Sequence, residues 1–262
     1  MLASLAATVA VLSGIATPAR AGDLAVIEKR GVIRVIVAAD EAAETYSLAA
    51  KGEPGFEREL LESFARGRGL MVEAVVSKTY PERITMLVAD KGDVIAAIFD
   101  TEDRRKVVNF TQAVMPTHNV AVTLRPAPVV ANVKDLLAQR VGAIKGTKPA
   151  EAAIQDGVPA ASLRTYDRLE ELFGALQRGE VTTVVLPISE LAIARKHYPG
   201  LQAGATVGAP GTIAWAVRKE DDELKRALDE YLIDMRRSPV WSRLVVKYFG
   251  DEALQVLGRK RP

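Results

Sequence analysis

Twice along this chain, β-branched apolar runs alternate with amphipathic stretches, and this alternation limits the possible folds more than any other feature. Val32-Ile33-Arg34-Val35-Ile36-Val37 reads as a strand. Phe56, Leu60, Leu61 and Phe64 fall at helical spacing, and Gly67 and Gly69 stop that helix. Val72–Val76 is a second strand, 82–89 a short helix and Val94–Phe99 a third strand. The last is an unbroken apolar run, as expected of a parallel strand covered on both faces. Two prolines within 125–132 disfavour both a helix and a central strand there. The pattern then restarts. Helices are expected at 133–139, Pro149–Gln155, 167–178 and 188–197, with strands at Arg140–Ile144 and Val181–Leu186. A second break is expected at Gly204–Gly211, followed by a strand at Thr212–Val217 and helices at 221–236 and roughly 239–248.

Strand, helix and strand in repetition imply an α/β fold with two parallel blocks. The C-terminal strand and two helices would bury too little surface alone and must dock on one block. If they dock on the first, the chain crosses between lobes twice, near 116–122 and near 206–212. Two crossings make a hinge above a cleft. The expected division is 22–117 plus 209–262 for the first lobe and 118–208 for the second. With 262 residues, 48% of them hydrophobic, the chain can fill two such cores.

The first residues read as an address. Met1–Ala16 is almost wholly apolar, and Ala19-Arg20-Ala21 forms an A-x-A cleavage site before Gly22. Residues 1–21 are therefore expected to be a signal peptide, placing the protein in the periplasm. Several function classes are excluded. The chain has no cysteine and two histidines, so a thiolate or multi-histidine metal centre cannot form, and no metal or cofactor is expected. A formal charge of +2 gives no case for nucleic acid. The G-x-S-x-G, H-E-x-x-H and G-x-x-x-x-G-K-[ST] motifs are absent, so no enzyme is expected.

Several segments, in order and spacing, resemble one family. They are Gly55-Phe56-Glu57-Arg58-Glu59-Leu60, Asp100-Thr101-Glu102-Asp103-Arg104, Val108-Asn109-Phe110-Thr111, Val141-Gly142-Ala143-Ile144-Lys145-Gly146-Thr147, Trp215–Asp221 and Lys247-Tyr248-Phe249-Gly250. They are similar to motifs of the bacterial periplasmic solute-binding proteins, family 3, of amino-acid-type ABC transporters. The resemblance implies the two-lobe, type II-like periplasmic binding protein fold, with a small carboxylate-bearing solute held between the lobes. It also implies an ABC permease as partner and a monomer in solution. Two further readings share the scaffold. One is a sensory or accessory binding protein without a transporter. The other is a cyclic-acid dehydratase-like enzyme, with Asp40, Glu190 or Asp100 as its acid.

Arg104 is the leading site residue. It follows the third strand's carboxyl end, where α/β sheets place ligands, and its planar fork suits a carboxylate. The resemblance implies that it grips the ligand's carboxylate with Thr101 beside it; the alternative is a surface ion pair with Glu102 or Asp103. Thr147 and Lys148 open a helix after a strand, where backbone N–H groups favour an anion; the alternative is an ordinary cap. Tyr80 either stacks on the ligand, as the resemblance implies, or packs over the sheet edge. Asp40 and Tyr46 lie on the loop after the first strand. The family's ammonium-holding acid in the second lobe falls at Pro187, or at Ser189 with one gap, and neither carries charge. Ala96, Ala97 and Phe99 replace the small polar residues usual before the Thr-x-x-Arg turn. These departures favour a carboxylate with a less polar remainder over a free amino acid.

Overall fold

A computed structural model describes residues 23–257. The expected signal peptide at 1–21 lies outside the described residues. The strands are β1 (Val32–Ala38), β2 (Met71–Ser77), β3 (Val94–Phe99), β4 (Asn109–Phe110), β5 (Met115–Leu124), β6 (Val141–Ile144), β7 (Arg164–Tyr166), β8 (Thr183–Pro187) and β9 (Leu201–Val217). The helices are α1 (Leu24–Arg30), α2 (Ala43–Tyr46), α3 (Phe56–Gly67), α4 (Glu82–Val88), α5 (Glu102–Arg105), α6 (Val133–Leu137), α7 (Lys148–Gln155), α8 (Leu169–Gln177), α9 (Ile188–His197), α10 (Asp222–Arg237), α11 (Pro239–Phe249) and α12 (Ala253–Val256).

All strands join one sheet, ordered β2-β1-β3-β9-β5-β8-β6-β7, with β4 beside β9. Its two ends are parallel blocks: β1 pairs with β2 and β3, and β6 pairs with β7 and β8. Between them lies the long antiparallel pair β5 and β9. These two strands run through both lobes and are the crossovers.

Each block is covered on both faces, which explains the apolar runs. In β1, Ile33, Val35 and Val37 face a core shared with α1, α3, α10 and α11, while Ile36 faces Met86 and Leu87 of α4. In β8, Val184 and Leu186 face Leu172 of α8 and Leu191 of α9, and Val185 faces Leu136 of α6 and Ala153 of α7. The C-terminal helices dock on the first lobe. There Phe56 packs edge-on against Trp241, Tyr248 and Phe249, with ring centroids 5.2 to 6.1 Å apart.

The break expected at 204–211 is instead strand, and β5 is a strand that the sequence reading does not contain. The glycines there serve a different purpose. A Cβ on Gly204 would lie 2.3 Å from the Val130 carbonyl oxygen, because that oxygen accepts from the next N–H, Ala205, at 2.7 Å. Gly208 has φ +69 where the pairing jumps from Thr117↔Gly211 to Asn119↔Val207, so it turns a bulge. The glycines permit close approach and a bulge inside one strand rather than ending it.

Candidate functional site

A cleft of about 860 Å³, part of it open to solvent, lies between the two parallel blocks. Its walls come from segments that follow the carboxyl ends of β1, β2, β3, β6 and β8, as in other open α/β sheets.

Arg104 lines it. Four-residue α5 carries this side chain, and Thr101 caps α5 by accepting the Arg104 N–H at 3.3 Å. One guanidinium nitrogen donates to the Phe99 carbonyl at 2.9 Å. Among the described residues no carboxylate lies within ion-pair distance of it. Burial, then the neighbouring Arg83 cation, push its pKa down to about 10, with Glu151 opposing. A half-buried guanidinium without a counter-ion, stripped of part of its water, favours an incoming anion.

Arg83, by contrast, is committed. It is buried and donates to the Ala96 carbonyl at 3.0 Å and the Tyr80 carbonyl at 3.3 Å. Its guanidinium lies 4.9 Å over the Tyr80 ring and 3.7 Å from Glu41 Oε2. Ala97, also in the cleft wall, has φ +48 at the register shift between Ile95 and Ile98 of β3. This bulge turns strand carbonyls toward Arg83 at a backbone cost of about 1–3 kcal/mol.

The remaining expected residues divide by location. Thr147, Lys148, Tyr80 and Ser189 all line the cleft with Arg104. The Thr147 hydroxyl donates to the Ile144 carbonyl at 2.7 Å instead of capping α7, which leaves its lone pairs free. Lys148 Nζ is 3.7 Å from Glu151. Tyr80 packs partly against the second lobe's core, and one face of its ring is taken by Arg83. Thr101, Asp40 and Tyr46 are not among the lining residues. Thr101 holds α5, and Tyr46 is buried in the first lobe's core, where burial raises its pKa to about 12. Asp40 reaches across the lobes: its Oδ2 accepts the Leu169 N–H at the start of α8 at 2.8 Å.

The sequence reading did not assign three carboxyl groups to the cleft, Glu41, Glu57 and Glu190, although Glu190 stood among its candidate acids. Glu57 accepts a short hydrogen bond from the Trp215 indole N–H. Burial is the main cause that lifts their pKa values, to about 7 for Glu41 and about 8 for Glu57 and Glu190. Two signals were present in the sequence. Glu57 sits three, four and seven positions before Leu60, Leu61 and Phe64, so it shares their buried face; Arg83 shares one with Met86 and Leu87 in the same way. Apolar wall comes from Phe56, Phe99, Met115, Ile213 and Phe249. The lobes also touch at Glu44 Oε1 and His197 Nε2, 3.0 Å apart, and where Gly146 meets Pro81.

Comparison with known proteins agrees with this geometry. The profile of the bacterial extracellular solute-binding proteins, family 3, matches residues 33–251. A membrane-bound lytic murein transglycosylase F from Stutzerimonas stutzeri (strain A1501) is 27% identical over 88% of this chain and 48% of its own length. One from Pseudomonas putida (strain GB-1) is 26% identical over the same shares. The chain thus spans about half the length of these curated relatives. Among solved structures, a P235GK mutant of ArgBP from T. maritima superposes with a TM-score of 0.75 at 26% identity, covering 86% of this chain and 98% of that one. Holo ArgBP from T. maritima gives 0.72 at 27% identity, covering 86% and 98%. The two-lobe α/β fold, the cleft and the matched segments agree: the chain belongs to the bacterial extracellular solute-binding proteins, family 3.

Proposed function

We propose that this protein captures a small carboxylate-bearing solute, an amino acid or related organic acid, in the periplasm for an ABC-type importer. The observation that carries this reading is Arg104, a half-buried guanidinium in the cleft with no carboxylate partner among the described residues. Thr147 and Lys148 stand in the same cleft and complete an anion-binding wall. The lobes divide at 117/118 and 208/209, beside the register jump of β5 and β9, and close as a monomer over the solute. The chain is a binding protein and not an enzyme on this reading, in keeping with the solute-binding family it matches. Isothermal titration of the purified protein with amino acids and amine-free acids tests this. Binding that disappears in Arg104→Ala supports the carboxylate clamp; equal binding in that variant refutes it.

A second reading rests on the relatives named membrane-bound lytic murein transglycosylase F, of which this chain matches half. There the clamp would serve as the solute-sensing unit of a cell-wall protein. Co-purification with an importer permease or with a murein-acting protein separates the two.

A further inference from the structure

We propose that Phe99, Ile213 and Met115, with Phe56 and Phe249 against them, form an apolar recess for the part of the solute remote from its carboxylate, so that the protein selects carboxylates bearing a branched aliphatic or aromatic group. This rests on the reading that Arg104 holds a carboxylate in the cleft, and it narrows the solute class within that reading.

Strand register places these side chains together. Phe99 of β3 and Met115 of β5 both stand opposite Ile213 of β9, so the three form one row across the sheet. Residues paired directly across antiparallel strands point to the same face. On that face Ile213 and Met115 share a core with Phe56 of α3 and Phe249 of α11, and Phe99 packs against it. The Phe56 and Phe249 rings meet edge-on with centroids 5.2 Å apart. All five side chains line the cleft. Neighbouring strands lie about 4.8 Å apart, so the row spans about 10 Å, enough for a branched chain or a phenyl ring with its linker.

The row starts at the clamp. Arg104 donates to the Phe99 carbonyl at 2.9 Å, so a carboxylate on this guanidinium lies beside the first member of the row. Phe99 is half-buried, whereas Phe56, Met115, Phe249 and Ile213 are only 1%, 4%, 4% and 7% exposed. A polar remainder would give up water here and meet no donor or acceptor on these five side chains, whereas an apolar one gains by burial. The charged groups nearest the row are engaged with other partners. Glu57 accepts from the indole of Trp215, two residues beyond Ile213 and on the same core. Burial lifts Glu57 to about 8, so it carries little charge at neutral pH. Arg83 bonds the Ala96 and Tyr80 carbonyls and lies 3.7 Å from Glu41, so these two opposite charges offset each other.

Isothermal titration with two ladders of solutes tests this. One is alanine, leucine and phenylalanine; the other is the amine-free series propionate, isocaproate and hydrocinnamate. In whichever ladder binds, the two large members should bind at least about 50-fold tighter than the small one, the worth of three buried carbons. Ile213→Phe fills the recess and should cut that ratio below about fivefold while the small member binds as before. Phe99→Ala, at a half-buried position, should also lower the ratio, in a chain whose melting curve shows that it still folds. Arg104→Ala should weaken every member and keep the ratio. A ratio that both recess variants leave intact overturns the placement. Large and small carboxylates that bind within about threefold of one another overturn the recess and leave the carboxylate reading standing. Arginine or glutamine binding as tightly as leucine and phenylalanine does the same. If no carboxylate binds, hydrocinnamyl alcohol is titrated against propanol. Preference for the larger alcohol keeps the recess and removes the carboxylate reading; binding of neither overturns both.

Discussion

Arg104, half-buried in the cleft wall, and Glu57, buried in the core, make opposite demands on their surroundings. Arg104 has given up part of its water and received one backbone carbonyl in return. Arg104→Ala should leave the melting temperature of the empty protein unchanged or higher while weakening a carboxylate solute by about 10- to 100-fold, the worth of a charge-assisted hydrogen-bonded pair at about 1.5–3 kcal/mol. Thermal unfolding and calorimetry on the same samples check both halves. Glu57 is instead held mainly in its protonated form, since burial raises it to about 8 from an ordinary value of 4.5. Between those two pH values the folded chain keeps a proton that the unfolded chain has released. Stability must then fall as pH rises from about 4.5 through 8, by at most about 1.4 kcal/mol per unit for one group. Glu41 and Glu190 push in the same direction. The empty protein should melt higher at pH 5.5 than at 8.5, and Glu57→Gln, whose amide oxygen can still accept from Trp215, should flatten the slope. A profile that rises over this range would contradict the buried state of these groups.

At the scale of elements, β9 and α8 show how neighbours decide what a segment becomes. Gly204 and Gly208 read locally as a break, but β5 pairs with β9 on either side of each, at Ala203, Thr206, Val207 and Gly211, and the segment stays strand. Gly204→Ala should destabilise by about 1–3 kcal/mol, as overpacking does, because its Cβ would press on the Val130 carbonyl. Denaturant unfolding measures this; a neutral result would mean that the β9 edge yields there. α8 has no cap from its own N-cap residue, Arg168. Asp40 from the other lobe supplies it, so that Asp40→Ala removes a helix cap and a lobe contact together. The expected loss is about 1 kcal/mol, typical of caps, with a larger radius of gyration in solution.

For the whole molecule, the sheet is continuous through β5 and β9, whose pairing jumps register between Thr117 and Asn119. A solute that bridges the lobes selects the closed arrangement in proportion to its difference in affinity for the two forms. At a hundredfold excess over its Kd it should stabilise the fold by about 2.7 kcal/mol. A panel of acids and amino acids, scored by melting temperature with scattering on the hits, should find solutes that raise the midpoint and shrink the radius together. A rise without compaction would locate binding outside the cleft.

The sequence by itself determined the α/β class and many of the elements, though not β5 or the first half of β9. The unbroken apolar run at 94–99 marks a strand covered on both faces, 181–186 reads as another strand, and the 3.6-residue spacing of Phe56, Leu60, Leu61 and Phe64 marks a helix on a core. The family resemblance, together with the strand ends before Arg104 and Thr147, pointed to Arg104, Thr147, Lys148, Tyr80 and Ser189, which line the cleft, and equally to Thr101, Asp40 and Tyr46, which do not. Tertiary structure decided the rest. Whether Tyr46 faces the core or the cleft, whether Asp40 meets a solute or a helix end, and whether a glycine run stops a strand depend on groups far apart in the chain. Leu169 is 129 residues from Asp40, and Trp215 is 158 from Glu57. Local pattern reports propensity and periodicity; burial of a charge, and the partner that compensates it, exist only once distant segments are packed together.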